Sequence, residues 1–241
     1  RHTVCVGLPE GGEYFPGGTT YIASMTALML IAMRVGRIRE TISGETYLDM
    51  RQALLDYAHD FQKEVEGYTD RAFALAQTWK DLRAEDFIGD YSDYATAFFG
   101  SAKMVEAFGG LTTNDDSEDW SHINYFLKDT DHIGTFFVAN TRSPSFDRLQ
   151  DSIRVACELR KHVAVITDGE PELFPENAVV FRTPKAQAGW MSPLMQHIPM
   201  DFVAAYIACF RNTGAFRQDS PIHQRDAACA RFRQSKIEVV K

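Results

Sequence analysis

Between about residue 85 and residue 211, short apolar runs alternate with longer amphipathic segments. The apolar runs are typical of short strands, and the segments between them carry apolar residues at helical spacing. This alternation predicts an α/β class built from βαβ units, with a parallel sheet covered by helices on both faces. The predicted strands are 87–89, 111–113, 133–139, 163–167 and 178–181, and the predicted helices are 94–108, 117–127, 145–160 and 193–211.

Three further helices are predicted before this region. Thr19 or Thr20 can cap an apolar helix that runs to about residue 34, and two amphipathic helices, 46–66 and 68–82, follow it. Before these helices, the apolar run at residues 4–8 predicts a short strand. Because the sequence opens on Arg1 and a strand-like run, we expect an N-terminal part to precede it.

The amino-acid composition limits which kinds of binding partner we expect. The 241 residues are 45% apolar and 24% charged, as in ordinary globular proteins. The net charge of −8 disfavours nucleic acid, although a local set of backbone N–H groups can still bind a small phosphorylated ligand. The apolar run 25–33 is too short to span a bilayer, and we recognise no signal peptide before it, so we expect no membrane partner.

The four cysteines show no C-x-x-C spacing. Scattered cysteines of this kind are typical of reduced thiols in a cytoplasmic protein, and they argue against a zinc site. The sequence also lacks a G-x-G-x-x-G motif after a strand, which disfavours a dinucleotide-binding protein. We therefore predict no metal and no cofactor.

A candidate base ends the helix 94–108. Ala95, Phe99, Ala102 and Glu106 share one helical face, so a carboxylate follows small and apolar groups. Partial burial raises the pKa of a carboxylate and makes it a usable base near neutrality. On spacing alone, a solvated glutamate at a helix end is the favoured interpretation.

A candidate acid–base histidine stands in the next predicted helix. Asp116 or Ser117 can cap that helix, which places His122 in its first or second turn, where the dipole favours a neutral ring. An exposed histidine near a helix end is the plain alternative. We expect Glu106 and His122 to converge on one cleft at the carboxyl edge of the sheet, where ligands of such folds bind.

Several motifs, taken together, resemble the SIS (sugar isomerase) domains of phosphosugar isomerases, of fructosamine-6-phosphate deglycases and of the isomerase domain of glucosamine-fructose-6-phosphate aminotransferase. That family has its catalytic Glu at the end of the first helix of the second SIS domain and its catalytic His sixteen residues later, the separation of Glu106 and His122 here. The other matching segments are 87–90, 190–194, 198–202, 235–239 and the loop that contains Glu13, Gly17, Gly18, Thr19 and Thr20.

The resemblance implies a division of the chain. Residues 1–42 would be the C-terminal part of a first SIS domain, incomplete in this sequence. Residues 43–84 would form a helical linker, 85–214 a second SIS domain, and 215–241 a tail that closes the active site. The fold implied is a Rossmann-like three-layer αβα arrangement.

The resemblance also implies an activity. The expected enzyme is a deglycase that splits a 6-phosphorylated ketosamine; an aldose/ketose isomerase, an amino-sugar-phosphate deaminase and a non-catalytic phosphosugar sensor are the alternatives. Glu106, His122 and Lys236 would be catalytic, the protein would be a homodimer, and no nucleic acid would bind. The residues expected to bind substrate are Thr19, Thr20, Lys103 and Ser235.

Two departures from the family pattern concern the substrate rather than the fold. Phe98 and Phe99 stand where relatives often have a smaller or acidic residue. Asn124 and Tyr125 follow His122 where the aminotransferase has a Gly-Pro turn.

Overall fold

In the computed structural model, residues 17–214 and 219–223 are described. Three helices come first, and strands then alternate with helices. The helices are α1 (Gly18–Ile38), α2 (Gly44–Val65), α3 (Tyr68–Trp79), α4 (Ser92–Phe108), α5 (Ser117–His122), α6 (Phe146–Glu158), α7 (Pro193–Gln196) and α8 (Ile198–Phe210). The strands are β1 (Ala84–Gly89), β2 (Thr112–Asp115), β3 (Ile133–Ala139), β4 (His162–Thr167) and β5 (Val179–Arg182).

The five strands form one parallel sheet in the order β2-β1-β3-β4-β5. The chain moves outward from β1 to β2 and then crosses back to place β3 on the other side of β1. The carboxyl ends of β1 and β3 are therefore the topological switch point, where the adjoining connections diverge and leave a crevice. The predicted α/β class with a parallel sheet is confirmed.

Alternate residues of the strands fill two separate cores. On one face Phe87 and Phe136 pack under α3, α4 and α8. On the other, Ile88 and Phe137 pack against Trp120 of α5 and against α6. This is the expected period of two in a strand that is buried on both faces. The result is the three-layer αβα arrangement that the resemblance implied.

The first two helices pack away from the sheet. Met25 and Met29 of α1 join Ala53 and Tyr57 of α2 in a third cluster, which rests on Leu194 of α7. By length and composition alone, α1 is the one helix of the described chain that could cross a membrane, and 6% of its most apolar window is buried. Core helices and signal sequences meet the same criterion, so this is weak evidence.

The helix α3 belongs to a helical layer that covers the sheet, although it lies in the segment expected to be a linker. Trp79 packs on Phe136, with ring centroids 4.8 Å apart, and α3 lies beside α8 in the same core. The proposed division at residue 84 thus falls between two elements that pack together. The predicted strand 4–8, Glu13, Ser235 and Lys236 lie outside the described residues.

Local differences from the predicted elements have simple causes. The N-cap of α1 is Gly17, with φ 90°, rather than Thr19 or Thr20; the Thr20 hydroxyl instead donates to the Gly17 carbonyl oxygen at 2.9 Å. The helix predicted at 117–127 ends at His122, because Ile123 has non-helical angles. The closing helix is divided into α7 and α8, each with a proline in its first turn, where the missing N–H costs no intrahelical hydrogen bond.

Candidate functional site

Glu106 and Lys103 form an ion pair on one face of α4. The Lys103 side chain is 10% exposed and its Nζ lies 4.7 Å from the centroid of the Phe99 ring. The Glu106 side chain is 35% exposed, so the carboxylate can be reached from outside. Because the ammonium group is held between a ring and a carboxylate, it can orient Glu106 toward a ligand.

Glu106 does not lie at the carboxyl edge of the sheet. The helix α4 begins after the carboxyl end of β1 and runs back toward its start, and Glu106 is in the last turn. The chain after α4 meets the amino end of β1: a Cβ on Gly110 would lie 3.1 Å from Oε2 of Glu85, and the Glu85 N–H donates to the Leu111 carbonyl. The expected place of Glu106 is therefore wrong, because the helix reverses the direction of the strand.

His122 lies at the end of α5 and its side chain is 70% exposed. Its Nε2 lies 2.9 Å from Oε1 of Glu118, whose Oε2 accepts a hydrogen bond of 2.9 Å from Arg148. The hydrogen bond with His122 and the neighbouring Arg148 hold the pKa of Glu118 below its usual range. The histidine is thus oriented by a carboxylate that is itself held by an arginine.

The structure does not bring Glu106 and His122 together within one chain. Met104 of α4 packs with Phe87, whereas Trp120 of α5 packs with Phe137 on the opposite face of the sheet. No hydrogen bond or ion pair joins the two in the described part of the chain. The sixteen-residue separation does not bring the two side chains together in one chain.

The remaining candidates lie at the start of α1. Thr19 is exposed and Thr20 is half-buried with its hydroxyl on the Gly17 carbonyl oxygen. Gly18 sits against α8, where an added Cβ would lie 2.7 Å from Oδ2 of Asp201. The first turn of α1 is thus beside the first turn of α8.

Sequence reasoning missed a pair at the start of α8, formed by its N-cap His197 and by Asp201. His197 is fully buried, and its Nδ1 lies 2.8 Å from Oδ2 of Asp201. Its Nε2 has no hydrogen-bond partner among the described residues. Two rings enclose the imidazole: Tyr21 at 5.0 Å and Phe99 at 4.9 Å between centroids. Burial, and secondarily Asp201, raises the pKa of Tyr21.

A signal for this pair was present in the sequence. His197 and Asp201 are four residues apart in an otherwise apolar segment, the spacing at which two polar side chains meet on a helix. The segment is part of the predicted closing helix and of the resemblance, neither of which assigns a role to either side chain. Phe99 contacts both the His197 ring and Nζ of Lys103, so one aromatic side chain lies between this pair and the Lys103–Glu106 ion pair.

The switch point itself holds a buried polar network. Asp93 accepts hydrogen bonds from Gln196 Nε2 at 3.2 Å and from the Asn140 backbone N–H at 3.3 Å. The Asn140 side chain donates to Ser192 Oγ at 2.9 Å. Burial raises the pKa of Asp93 to about 7 against these hydrogen bonds. Because its members bind one another, the network holds the first turn of α4 and the residue that follows β3 to α7 and its N-cap.

Metal binding has no support in the described residues, where no group of three or more His, Cys, Asp or Glu side chains could hold a metal ion.

No family model matches this sequence, and no curated protein matches it. Solved structures do. The C-terminal domain of glucosamine-fructose-6-phosphate aminotransferase from Francisella tularensis is 13% identical, with a TM-score of 0.73 over 82% of this chain and 55% of that chain. Tagatose-6-phosphate ketose/aldose isomerase from Escherichia coli is 12% identical, with a TM-score of 0.62 over 81% and 51%.

A third match is a regulator. The sugar isomerase domain of an RpiR transcription factor from Sphaerobacter thermophilus is 15% identical, with a TM-score of 0.55 over 76% of this chain and 94% of that domain. The chain spans about half the length of the aminotransferase domain and of the tagatose-6-phosphate isomerase.

The sheet order, the three layers and these matches define the class: the chain has the fold of SIS-domain proteins. The resemblance inferred from the sequence motifs is confirmed for the fold. Within that class, the matched structures are an aminotransferase domain, a ketose/aldose isomerase and a transcription factor's sugar isomerase domain, so the fold alone is compatible with both catalysis and sensing.

Proposed function

We propose that this chain acts on a 6-phosphorylated ketose or ketosamine, as the larger part of an SIS-family phosphosugar isomerase or deglycase. The observation that supports this most is the partly exposed carboxylate of Glu106, paired with Lys103 at the position where the family has its catalytic Glu. A plain surface salt bridge would not need the lysine to be almost fully buried. The neighbours named for phosphorylated sugars support the ligand class.

In this proposal Glu106 moves a proton between C1 and the carbonyl carbon C2. It takes a proton from C1 while the carbonyl oxygen gains a proton from water, which gives an enediol or enolamine. The Glu106 proton is then delivered to C2, and the O–H or N–H proton at C1 is released to water, which leaves an aldehyde or an imine at C1. In a deglycase the product is an imine, and water adds to its C=N bond and releases the amine. Lys103 positions the carboxylate, and Thr19, Thr20 and Ser235 contact the substrate.

His122 would assist ring opening and Lys236 would contact the carbonyl end of the substrate. Since His122 lies on the opposite face of the sheet from Glu106, it can join a Glu106 site only from a partner subunit. The proposal therefore includes a homodimer, and it places the protein in the cytoplasm. The division into 1–42, 43–84, 85–214 and 215–241 is part of the same proposal.

A non-catalytic phosphosugar sensor is the second candidate. The match to a transcription factor's sugar isomerase domain favours it, as does the separation of Glu106 from His122 within one chain. A sensor would bind a 6-phosphosugar without turning it over. An isomerase would interconvert two 6-phosphosugars, and a deglycase would release free amine from a 6-phosphorylated ketosamine.

The first test is a substitution of the proposed base. Glu106→Gln keeps the shape of the side chain and removes the proton acceptor, so turnover should fall by about 10²–10⁴-fold while phosphosugar binding persists. Product mass, followed on a panel of 6-phosphosugars and 6-phosphorylated ketosamines, measures the rate and identifies the reaction. Glu158→Gln, an exposed change at the end of α6, is the matched control.

Near-normal rates in Glu106→Gln would exclude Glu106 as the base. Tight binding of a phosphosugar with no product from any member of the panel would favour the sensor.

A further inference from the structure

His197 presents a buried hydrogen-bond acceptor. Its Nδ1 faces Oδ2 of Asp201 at 2.8 Å, and because a carboxylate oxygen only accepts, the ring proton lies on Nδ1. In the neutral ring, Nε2 then carries a lone pair, and it has no hydrogen-bond partner among the described residues. An unsatisfied buried acceptor costs free energy, so a donor from a ligand would stabilise this site.

The Cε1 atom of the ring, which is bonded to both nitrogens, lies beside the first residue of α1. A Cβ on Gly18 would lie 3.6 Å from Cε1 of His197. The helix itself has no acidic residue in its first turn, and the carboxylate beside Gly18 is that of Asp201 in α8. The first N–H groups of a 21-residue helix lack intrahelical acceptors, and together with the dipole they favour an anion.

Phe99 connects these groups to the candidate base. The His197 ring lies 4.9 Å from the Phe99 ring, and Nζ of Lys103 lies 4.7 Å from the same ring centroid. An acceptor, a helix N-terminus and an ammonium–carboxylate pair therefore surround one aromatic side chain. This combination suits a ligand that has both hydroxyl groups and negative charge.

We propose that His197 is a ligand-binding residue of this site: its Nε2 accepts a hydrogen bond from a hydroxyl group of a phosphorylated sugar whose anionic group lies at the N-terminus of α1. The ligand class rests on the proposed function. Asp201 is a positioning residue, because its carboxylate fixes the ring tautomer that leaves Nε2 as an acceptor. His197 lies on the same face of the sheet as Glu106 of its own chain, whereas His122 lies on the other face.

The experiment is ¹⁵N NMR of the full chain labelled with ¹⁵N-histidine, titrated with fructose 6-phosphate and with glucose 6-phosphate, beside calorimetric measurement of the affinity. The His197 signals are assigned by their loss in His197→Phe. The free protein should show the tautomer with the proton on Nδ1, and either sugar phosphate should shift the Nε2 signal. The exposed His59 of α2 is the internal control and should not respond.

The second variant tests the positioning role. Asp201→Asn keeps the side-chain shape but lets an amide donate to Nδ1, so the ring proton moves to Nε2 and the acceptor becomes a donor. We expect the ¹⁵N signals to report that exchange and the affinity to fall about tenfold, the worth of one hydrogen bond near 1.4 kcal/mol. His59→Gln should leave the affinity unchanged.

The outcomes separate this proposal from the proposed function. If calorimetry shows binding but the ¹⁵N signals of His197 do not shift, the role of His197 is overturned and the phosphosugar proposal stands. If Asp201→Asn exchanges the tautomer but leaves the affinity unchanged, the role of His197 is again overturned and the phosphosugar proposal stands. If neither sugar phosphate produces heat or a shift, the role of His197 is overturned, and the panel of 6-phosphosugars and 6-phosphorylated ketosamines decides the proposed function separately. Should Asp201→Asn not fold, the titration of the unaltered protein decides alone.

Discussion

Two buried carboxyl groups of this protein differ in what surrounds them. Asp93 accepts hydrogen bonds from Gln196 and Asn140, whereas both oxygens of Glu85 are buried without a hydrogen-bond partner in the described part of the chain. Desolvation raises the pKa of Glu85 to about 7, although the nearby Arg211 lowers it. Both carboxyl groups should therefore affect stability as they titrate, and Glu85 is the one whose replacement breaks no hydrogen bond of its side chain among the described residues.

The sign of that effect follows from the raised pKa. Between the ordinary pKa of a glutamate and about pH 7, the folded protein holds a proton on Glu85 that the unfolded chain has lost. The free energy of unfolding should therefore fall as the pH rises through this window and level off above it. Glu85→Gln removes the titration, so the fall should shrink by roughly 2–3 kcal/mol.

Urea unfolding at pH 5 and pH 8 measures the effect. The exposed Glu172→Gln is the control and should keep the slope of the unaltered protein. A Glu85→Gln protein with the same pH dependence as the unaltered one would contradict the assignment.

At the scale of elements, the contact between α3 and β3 depends on a missing side chain. Gly134 lies under Trp79, and a Cβ there would meet the indole ring at 2.7 Å. The indole ring is rigid and fully buried, so it cannot move aside as a flexible chain end would. This close approach lets α3 pack against the sheet.

Gly134→Ala should therefore push α3 from the sheet and lower the free energy of unfolding by about 1–3 kcal/mol. Chemical denaturation measures the change in stability, and near-ultraviolet circular dichroism, to which the buried Trp79 contributes, reports the change in packing. Gly189→Ala is the matched control, because an added Cβ there meets no atom within 4 Å. Equal stability of the two variants would show that Trp79 relaxes without cost.

For the whole molecule, the main question is whether the proposed site is completed by a second chain. If Glu106 of one protomer meets His122 of the other, a mixed dimer of Glu106→Gln and His122→Ala protomers contains one site with both native residues. Co-refolding the two inactive variants should restore about a quarter of the native activity, as expected for random pairing in a two-fold symmetric dimer.

The same experiment can also contradict a site that is shared between two chains. If Glu106 and His122 act within one chain, or if His122 has no part in the reaction, the mixture gives no more activity than its components. Refolding each variant alone is the control, and sedimentation measures whether dimers form.

Local sequence predicted much of the architecture. The alternation of apolar and amphipathic segments gave the strand 133–139 with the bounds that the structure has, and the other four strands within a few residues. The N-cap of α1 and the end of α5 were wrong because each depends on the backbone angles of one residue, Gly17 and Ile123, which periodicity does not report.

The candidate site was predictable only in part. Lys103 and Glu106 meet because they are three residues apart on one helix, which spacing does determine. The resemblance supplied the fold and the choice of Glu106 and His122, but it could not place them in space.

The sequence by itself determined the class of fold, since hydrophobic period is a local property of each segment. Only the tertiary structure decided which side chains from different elements meet. The crossover from β2 to β3 and the choice of sheet face put Glu106 and His122 apart, and packing of α1 against α8 put Gly18 beside His197. These contacts join residues far apart in the chain, and the burial of apolar surface that sets them acts on the whole molecule at once.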